Sequence, residues 1–278
     1  MTALTTVAIT GATDGLGRAL ALRLARDPDV RLVLHGRDPA KLARVAAEAG
    51  GAVTVTADLA DLAQVARLAE EIGERAGTLD VLVNNAGIGS GEPDGRERRT
   101  SRDGHELRFA VNYLAAFLLT ENLLPLLTSS AREGRAARVV HVASLGQHPL
   151  DFGDLMLERA YSGTRAYGQS KLAQIMHCFD LAGRFAPARL TATCLHPGTY
   201  MPTKIVLSEI GSTVDSLESG VEAVRSLAVE PALEGTTGEF FDRLRPARVT
   251  EQAYDEQARA ALRARSLALV EGFLKPVA

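Results

Sequence analysis

Short aliphatic and β-branched runs alternate along this chain with longer segments of helical period. Residues 7–10, 32–34, 53–55, 81–83, 139–142 and 190–195 are nearly continuous apolar runs, as expected of strands buried on both faces rather than one. Between them, residues 18–24, 41–49, 62–75, 106–127, 166–185 and 218–229 read as helices. Asp38 is a suitable N-cap for the second of these, with Pro39 at its first helical position. Strict alternation with short connections predicts an α/β fold: a doubly wound parallel sheet, helices on both faces, and right-handed crossovers.

No Ser- or Pro-rich linker and no repeat interrupts the pattern, so a single domain over 1–278 is expected. Two stretches fit the alternation less well. Residues 87–105 are polar and Gly-rich, with Arg96, Arg98, Arg99 and Arg102; residues 197–217 form a second candidate loop region. Both follow predicted strands, the end of an open α/β sheet where ligands bind.

Composition narrows the class of molecule. With 278 residues, 46% hydrophobic and 23% charged, folding would bury about three quarters of the unfolded surface, enough for one substantial core. A formal net charge of −3 excludes a broadly basic nucleic-acid footprint. Cys178 and Cys194 form no metal-ligand spacing, so no metal site is expected, and a lone pair of cysteines suits a reducing compartment. A disulfide between them stays open. The first residues carry no positive leader pattern, and no window approaches ~18 uninterrupted apolar residues. A cytoplasmic protein without a membrane partner is the expectation.

The first strand runs into Thr10-Gly11-Ala12-Thr13-Asp14-Gly15-Leu16-Gly17 and then a helix. Glycines allow a tight turn and close approach to a pyrophosphate, and free amides at a helix start attract its charge. A plain structural turn is the alternative. The second strand ends in His35-Gly36-Arg37, 20 residues after Gly17. An acid near this position holds the 2′-hydroxyl of NAD, whereas an Arg accommodates the 2′-phosphate of NADP. Arg37 therefore favours NADP(H) over NAD(H), since the competing Asp38 is explained by capping. Asp58, past the third strand, could accept from an adenine amino group or cap the next helix. Asn84-Asn85-Ala86-Gly87 places side-chain amides beside small residues where backbone must approach a ligand, or it is a turn.

Tyr167 and Lys171 stand four residues apart, on one face of a helix. A phenol with a pKa near 10 is a poor acid–base catalyst at neutral pH, and a neighbouring cation lowers it. The bland alternative is a surface pair. Tyr161 has Arg165 at the same spacing and is assigned to packing or the pocket wall. Ser144 directly follows the fifth strand, where its hydroxyl could donate to a substrate carbonyl or serve only as loop.

Taken in order, Thr10-Gly11-x-x-x-Gly15-x-Gly17, Asn84-Asn85-Ala86-Gly87, Asn112, Ser144, Tyr167-x-x-x-Lys171 and Pro197-Gly198 resemble the short-chain dehydrogenase/reductase superfamily. Asp103-Gly104-His105-Glu106-Leu107, residues 111–120, the long interval from Ser144 to Tyr167, His196-Pro197-Gly198 and Gly238-Glu239-Phe240-Phe241 are similar to its retinol dehydrogenase and carbonyl reductase subgroup. Many of that subgroup carry an N-terminal membrane anchor, which is not expected here.

The resemblance implies a Rossmann-type fold and hydride transfer between nicotinamide and a carbonyl or alcohol. Tyr167 would protonate the forming alkoxide, and Lys171 would lower its pKa and bind the nicotinamide ribose. Ser144 would polarise the carbonyl, and Asn112 would hold a relay water. The expected cofactor site comprises Gly11, Thr13, Gly15, Leu16, Gly17, Arg37, Asp58, Leu59, Asn85, Ala86, Gly87, Tyr167, Lys171, Pro197, Gly198 and Thr199. The family's Thr, four residues after the Gly of Pro-Gly, is here Pro202, leaving Thr203 and Thr199 as candidates.

The apolar segment 200–210 could lid a hydrophobic small-molecule substrate or pack on the core, and the arginines of 96–102 could meet an acidic substrate. A homodimer or homotetramer is compatible with the resemblance. A non-catalytic NADP(H)-binding redox sensor and a redox-neutral epimerase or dehydratase are the competing functions, and the joint presence of Ser144, Tyr167, Lys171 and Asn112 weighs against the sensor.

Overall fold

A computed structural model describes residues 4–91 and 97–275. Eight strands form one sheet: β1 (Thr5–Ile9), β2 (Val30–Gly36), β3 (Val53–Thr56), β4 (Val81–Asn84), β5 (Ala137–Val142), β6 (Leu190–His196), β7 (Glu239–Asp242) and β8 (Arg245–Pro246). Their spatial order is β3-β2-β1-β4-β5-β6-β7-β8. Every pairing is parallel except β7 with β8. The order reverses between β1 and β4, so the segments leaving these two strands bound the crevice where such sheets take ligands.

The period-2 pattern decides which helices each face receives. Ala8, Leu82, Val139 and Ala192 point into a core built with α3 (Leu62–Ala76), α4 (Ala115–Ser130), α5 (Gly163–Arg184) and the C-terminal α8 (Glu256–Val270). Their strand neighbours Val7, Ile9, Val83, Val140 and Leu195 face the other way, onto α1 (Gly15–Leu24), α2 (Pro39–Glu48) and α7 (Leu217–Val229). Asp38 caps α2 as its position predicts, its carboxylate accepting from the amides of Ala40 and Lys41.

The expected helix over 106–127 contains a π-helical turn, Phe109–Leu114, before α4. The run Phe109–Ser130 is long enough to cross a membrane and contains an 18-residue window of mean hydropathy 1.4, yet 78% of that window is buried inside the protein. Its apolarity is that of a helix wrapped by neighbours on most sides.

Segment 197–217 holds a short helix, α6 (Lys204–Glu209). β7 and α8 are elements that the hydrophobic pattern does not announce. β7 has only Phe240 and Phe241 between two acids. α8 buries a one-residue-wide stripe, Ala258, Leu262, Ser266 and Val270, among arginines.

Candidate active site

The glycine-rich turn is tied to the exit of β4 by a small polar network. Thr10 Oγ1 accepts from the amides of Asn85 and Ala86, each at 3.0 Å. Asn85 Nδ2 donates back to the carbonyls of Thr10 (2.8 Å) and Gly11 (3.3 Å). The approach leaves no room for side chains. A Cβ on Gly17 would lie 2.3 Å from the Gly11 carbonyl oxygen and 2.5 Å from Asn85 Nδ2, and one on Gly11, which has φ +68°, would lie 2.9 Å from Ala86 Cα.

Two of the expected cofactor residues therefore act first on each other. Asp14 caps α1 by accepting from Gly15 N at 2.7 Å. The next intrahelical bond runs from Arg18 N to Asp14 O, so the amides of Leu16 and Gly17 have no helical acceptor and are free for an anion.

His35, on β2, holds this turn from the other side. It is buried, its Nδ1 accepts from Gly11 N at 3.3 Å, and its Nε2 lies 3.1 Å from the Ala57 carbonyl. Those partners require the neutral ring with its proton on Nε2, and burial lowers its pKa to about 4. His35 was absent from the expected site; its only signal in the sequence is an ionisable residue inside an apolar strand. Thr13 packs its methyl where Gly36 has no Cβ, closing the turn onto the end of β2. Arg37, next along, is exposed and forms no ion pair among the described residues.

On the far side of the crevice, β5 delivers Ser144 and α5 delivers Tyr167 and Lys171. The Ser144 hydroxyl stands beside the Tyr167 ring, the two bracketing the position of a Gly146 Cβ at 3.4 and 3.7 Å, and it accepts from Gly146 N at 3.0 Å. Lys171 Nζ lies 5.7 Å from the Tyr167 ring centre and donates to the Val142 carbonyl (2.9 Å) and Gln174 Oε1 (3.0 Å). Two of its three protons are thus committed and one remains.

The electrostatics differ from the simple expectation of a phenol acidified by its lysine. Burial pushes the Tyr167 phenol above its ordinary value, with the neighbouring Ser144 hydroxyl opposing and the Glu209 charge adding to the rise. Burial also brings Lys171 down to about 8. The reason is geometric: the ammonium is turned toward Val142 and Gln174, and it is itself desolvated.

Asn112 lies in the π-turn and is fully buried. Its Oδ1 accepts from Ile88 N at 2.8 Å, while Nδ2 donates to Ile88 O (3.1 Å) and Ser170 Oγ (2.9 Å). Both amide protons are spent on pinning the strand exit to α5, which leaves one Oδ1 lone pair for water. Gly87 fits beneath, its missing Cβ 3.2 Å from Asn112 Oδ1 and 3.5 Å from Lys171 Nζ.

Arg108 is wholly buried and donates to the carbonyls of Gly89 (2.7 Å) and Ser90 (2.6 Å) as well as to the Tyr161 hydroxyl. Tyr161 in turn donates to Glu106 at 3.1 Å, so it is part of the loop's support, and Arg165 pairs instead with Asp151.

Two of the four arginines of this loop are occupied with structure. Arg98 donates to the Met156 carbonyl and Arg102 pairs with Asp61; Arg96 lies outside the described residues. Asp58 accepts from Ala60 N at 3.0 Å within the turn, beside buried Leu59. The cap of α3 is Asp61, so the capping alternative for Asp58 is replaced.

After Pro197 and Gly198, Thr199 Oγ1 meets His196 Nε2 at 3.0 Å, and Thr199 N donates to Asp215, which Arg243 also binds. Thr203 is the threonine brought to the glycine-rich turn: it caps α6, and its methyl stands 3.3 Å from where a Gly15 Cβ would be. At its other end, α6 anchors through Glu209 Oε2 to the amide (3.0 Å) and hydroxyl (2.8 Å) of Ser90. α6 buries none of its residues, so it bridges the two rims of the crevice rather than packing on the core.

The short chain dehydrogenase family model matches residues 5–209, which include both rims and every residue of the Ser144, Tyr167 and Lys171 group. The chain belongs to that family. It is therefore a member of an oxidoreductase family that works with a nicotinamide cofactor. It is 34% identical to mouse retinol dehydrogenase 14, over 90% of this chain and 81% of that protein. It is 35% identical to mouse polyprenol dehydrogenase, over 94% and 82%. It is also 37% identical to a Streptomyces protein named a candidate daunorubicin C-13 ketoreductase, over 95% and 92%.

Among solved structures, NADPH-bound carbonyl reductase from chicken fatty liver superposes with a TM-score of 0.69 at 23% identity, covering 89% of this chain and 95% of that one, which shows the fold. A 3-ketoacyl-(acyl-carrier-protein) reductase of Brucella melitensis complexed with NADH gives 0.67 at 25% identity, over 86% and 96%.

Proposed function

We propose that this protein is an NADP(H)-dependent reductase of ketones or aldehydes, or the reverse alcohol dehydrogenase, with Tyr167 as general acid and base. The observation that carries the reading is the convergence of the Ser144 hydroxyl, the Tyr167 phenol and Lys171 beside a glycine-rich turn with free helix amides.

The residues present fit a dinucleotide. The amides of Leu16 and Gly17 would take the pyrophosphate, unpaired Arg37 the 2′-phosphate, and the remaining Lys171 proton a ribose hydroxyl. Asp58 keeps one carboxylate oxygen for the adenine amino group. When bound, the cofactor supplies the hydride.

Tyr167 holds the proton that the forming alkoxide requires, because burial keeps the phenol in its protonated form. Ser144 orients that hydroxyl and donates to the same oxygen. Such positioned proton transfer contributes roughly 10² to 10⁴ in rate. Lys171, with a pKa of about 8, exchanges a proton readily near neutrality and so can restore the phenol.

A hydrophobic substrate is favoured by the surface around the opening. Leu145, Tyr200, Leu207, Ile210 and Val214 are all large apolar residues exposed there, and an exposed apolar patch beside a cleft marks a binding surface. Relatives named for retinol and polyprenol agree with an apolar alcohol or its carbonyl.

The test is absorbance at 340 nm with NADPH and NADH against panels of apolar carbonyls and alcohols, with Tyr167→Phe as control. We expect turnover by the wild type and its loss in Tyr167→Phe with cofactor binding intact. Equal rates in the two proteins would refute the mechanism. Tight cofactor binding without turnover of any compound would leave a binding protein that senses the cofactor.

A further inference from the structure

A layer of polar side chains lies behind Lys171, on the side away from the crevice. Among the described residues, nine buried side-chain nitrogen and oxygen atoms have no hydrogen-bond partner, and six of them belong to Asn84, His141, Gln174 and His177. These four residues adjoin one another. Asn84 and His141 are register partners on β4 and β5, and side chains at paired positions of adjacent strands project to the same face. The ring centres of His141 and His177 are 5.1 Å apart. Gln174 and His177 are one turn apart on α5, and Gln174 Oε1 accepts from Lys171 Nζ.

The layer has two distinct ends. One is Lys171. At the other, His177 Nε2 stands 3.7 Å from Glu121 Oε1, and that carboxylate, 9% exposed, lies just beneath the surface against the partly exposed Arg184. Along α5 the residues Lys171, Gln174 and His177 follow a turn-by-turn line with Arg184 two turns further, and Lys171 to His177 is a rise of about 9 Å.

So many unpaired polar atoms in one buried place are costly unless bridging waters satisfy them, and a polar, multi-partner site is where buried water resides. Neutral imidazole accepts a proton at one nitrogen and releases it from the other. Burial, with the Lys171 ammonium nearby, holds His141 neutral. The rings and carboxylate against His177 are His141, Glu121, Tyr113 and Phe117, and Asp180, Arg259 and Arg263 line the same space.

We propose that His141 and His177, with bridging water held by Asn84 and Gln174, relay protons between Lys171 and the surface at Glu121. The relay rests on the oxidoreductase reading above and serves its proton balance. In reduction, the carbonyl carbon receives a hydride and its oxygen receives the Tyr167 proton. The phenolate regains a proton from the Lys171 ammonium, and the resulting amine regains one that enters past Glu121, so one solvent proton is consumed per alcohol formed.

Two measurements test this. In the uniformly ¹⁵N-labelled wild type, without cofactor or substrate, NMR should show exchange or NOE cross-peaks between water and the ring N–H groups of both His141 and His177. Rings without such cross-peaks overturn the relay whatever the enzyme turns over.

In NADPH-dependent reduction of all-trans-retinal and 9,10-phenanthrenequinone, His141→Phe and His177→Phe keep the ring volume and remove the conducting nitrogens. They should lower kcat at least ~10-fold and raise the solvent deuterium isotope effect, with NADPH affinity unchanged. A merely structural layer predicts wild-type kcat and isotope effect in both variants, and that outcome overturns the proposal even if either variant changes stability. Hydrated rings in a wild type that oxidises no NADPH with either compound would instead overturn the reaction itself, and the relay with it.

Discussion

The same substitution, Gly→Ala, should have opposite effects at two helical positions of this protein. At Gly73, in the last turn of α3, an added Cβ meets nothing within 4 Å. There the alanine only restricts the unfolded chain and favours helix, which is worth about 0.5–1 kcal/mol. For a chain of this size that is about 2 °C in Tm.

At Gly17, in the first turn of α1, the same gain is available, but the Cβ would stand 2.3 Å from the Gly11 carbonyl oxygen and 2.5 Å from Asn85 Nδ2. One neighbour is backbone and the other is held by two hydrogen bonds, so neither can swing away. Overpacking costs about 1–3 kcal/mol, which meets or exceeds the propensity gain. The larger effect falls on ligand binding. Relief requires the helix start and the Gly11 turn to separate, and this moves the free amides that would hold the pyrophosphate. Losing one charge-assisted hydrogen bond costs about 1.5–3 kcal/mol, so NADPH should bind roughly 10- to 100-fold more weakly.

Tryptophan is absent from the chain, so NADPH fluorescence can be read directly in a titration, with calorimetric melting in parallel. Gly73→Ala should bind NADPH as the wild type does and melt slightly higher. A Gly17→Ala protein with wild-type NADPH affinity would refute the placement of the cofactor on this turn.

Three further outcomes follow from the geometry. Arg37→Ala should weaken NADPH by about 10- to 100-fold and leave NADH unchanged; equal losses for both would contradict the 2′-phosphate role. Arg108→Met leaves Glu106 and the Gly89 and Ser90 carbonyls without their buried cation and should cost about 3–5 kcal/mol, read as a fall in denaturant midpoint with unchanged m; retention of wild-type stability would show that the loop closes without it. The depressed pKa of His35, about 4 against 6.5, means that the unfolded state binds a proton that the folded state refuses, so stability falls as pH drops from 6.5 toward 4. His35→Leu should reduce that slope by up to about 1.4 kcal/mol per pH unit, measured by urea unfolding across the window, and an unchanged slope would rule out His35 as a neutral buried clamp.

Strands β1 to β6 and helices α1 to α5 and α7 were legible because each carries a dense, one-sided or all-round apolar pattern whose period reports its type, whereas α6 buries none of its residues and carries no such pattern. Tyr167, Lys171, Ser144 and the glycine turn were legible because their chemistry depends on spacing within one element or on position at a strand end, both local properties. β7 and α8 were not. Phe240 and Phe241 are a pair too short to carry a period, and α8 has a four-residue stripe diluted by arginine.

The neutral tautomer of His35 is set by Gly11 and Ala57, 24 and 22 residues away. The bridge made by α6 depends on Ser90, 119 residues from Glu209. The layer of Asn84, His141, Gln174 and His177 exists only because strand register and helix docking bring two strands and α5 together. By itself the sequence determined which elements form and which reactive groups stand at strand ends, since those follow from local period and spacing. Tertiary structure decided which buried polar groups share a space, what they leave unpaired and how burial tunes them, because hydrogen bonding and desolvation act through distance in space rather than along the chain.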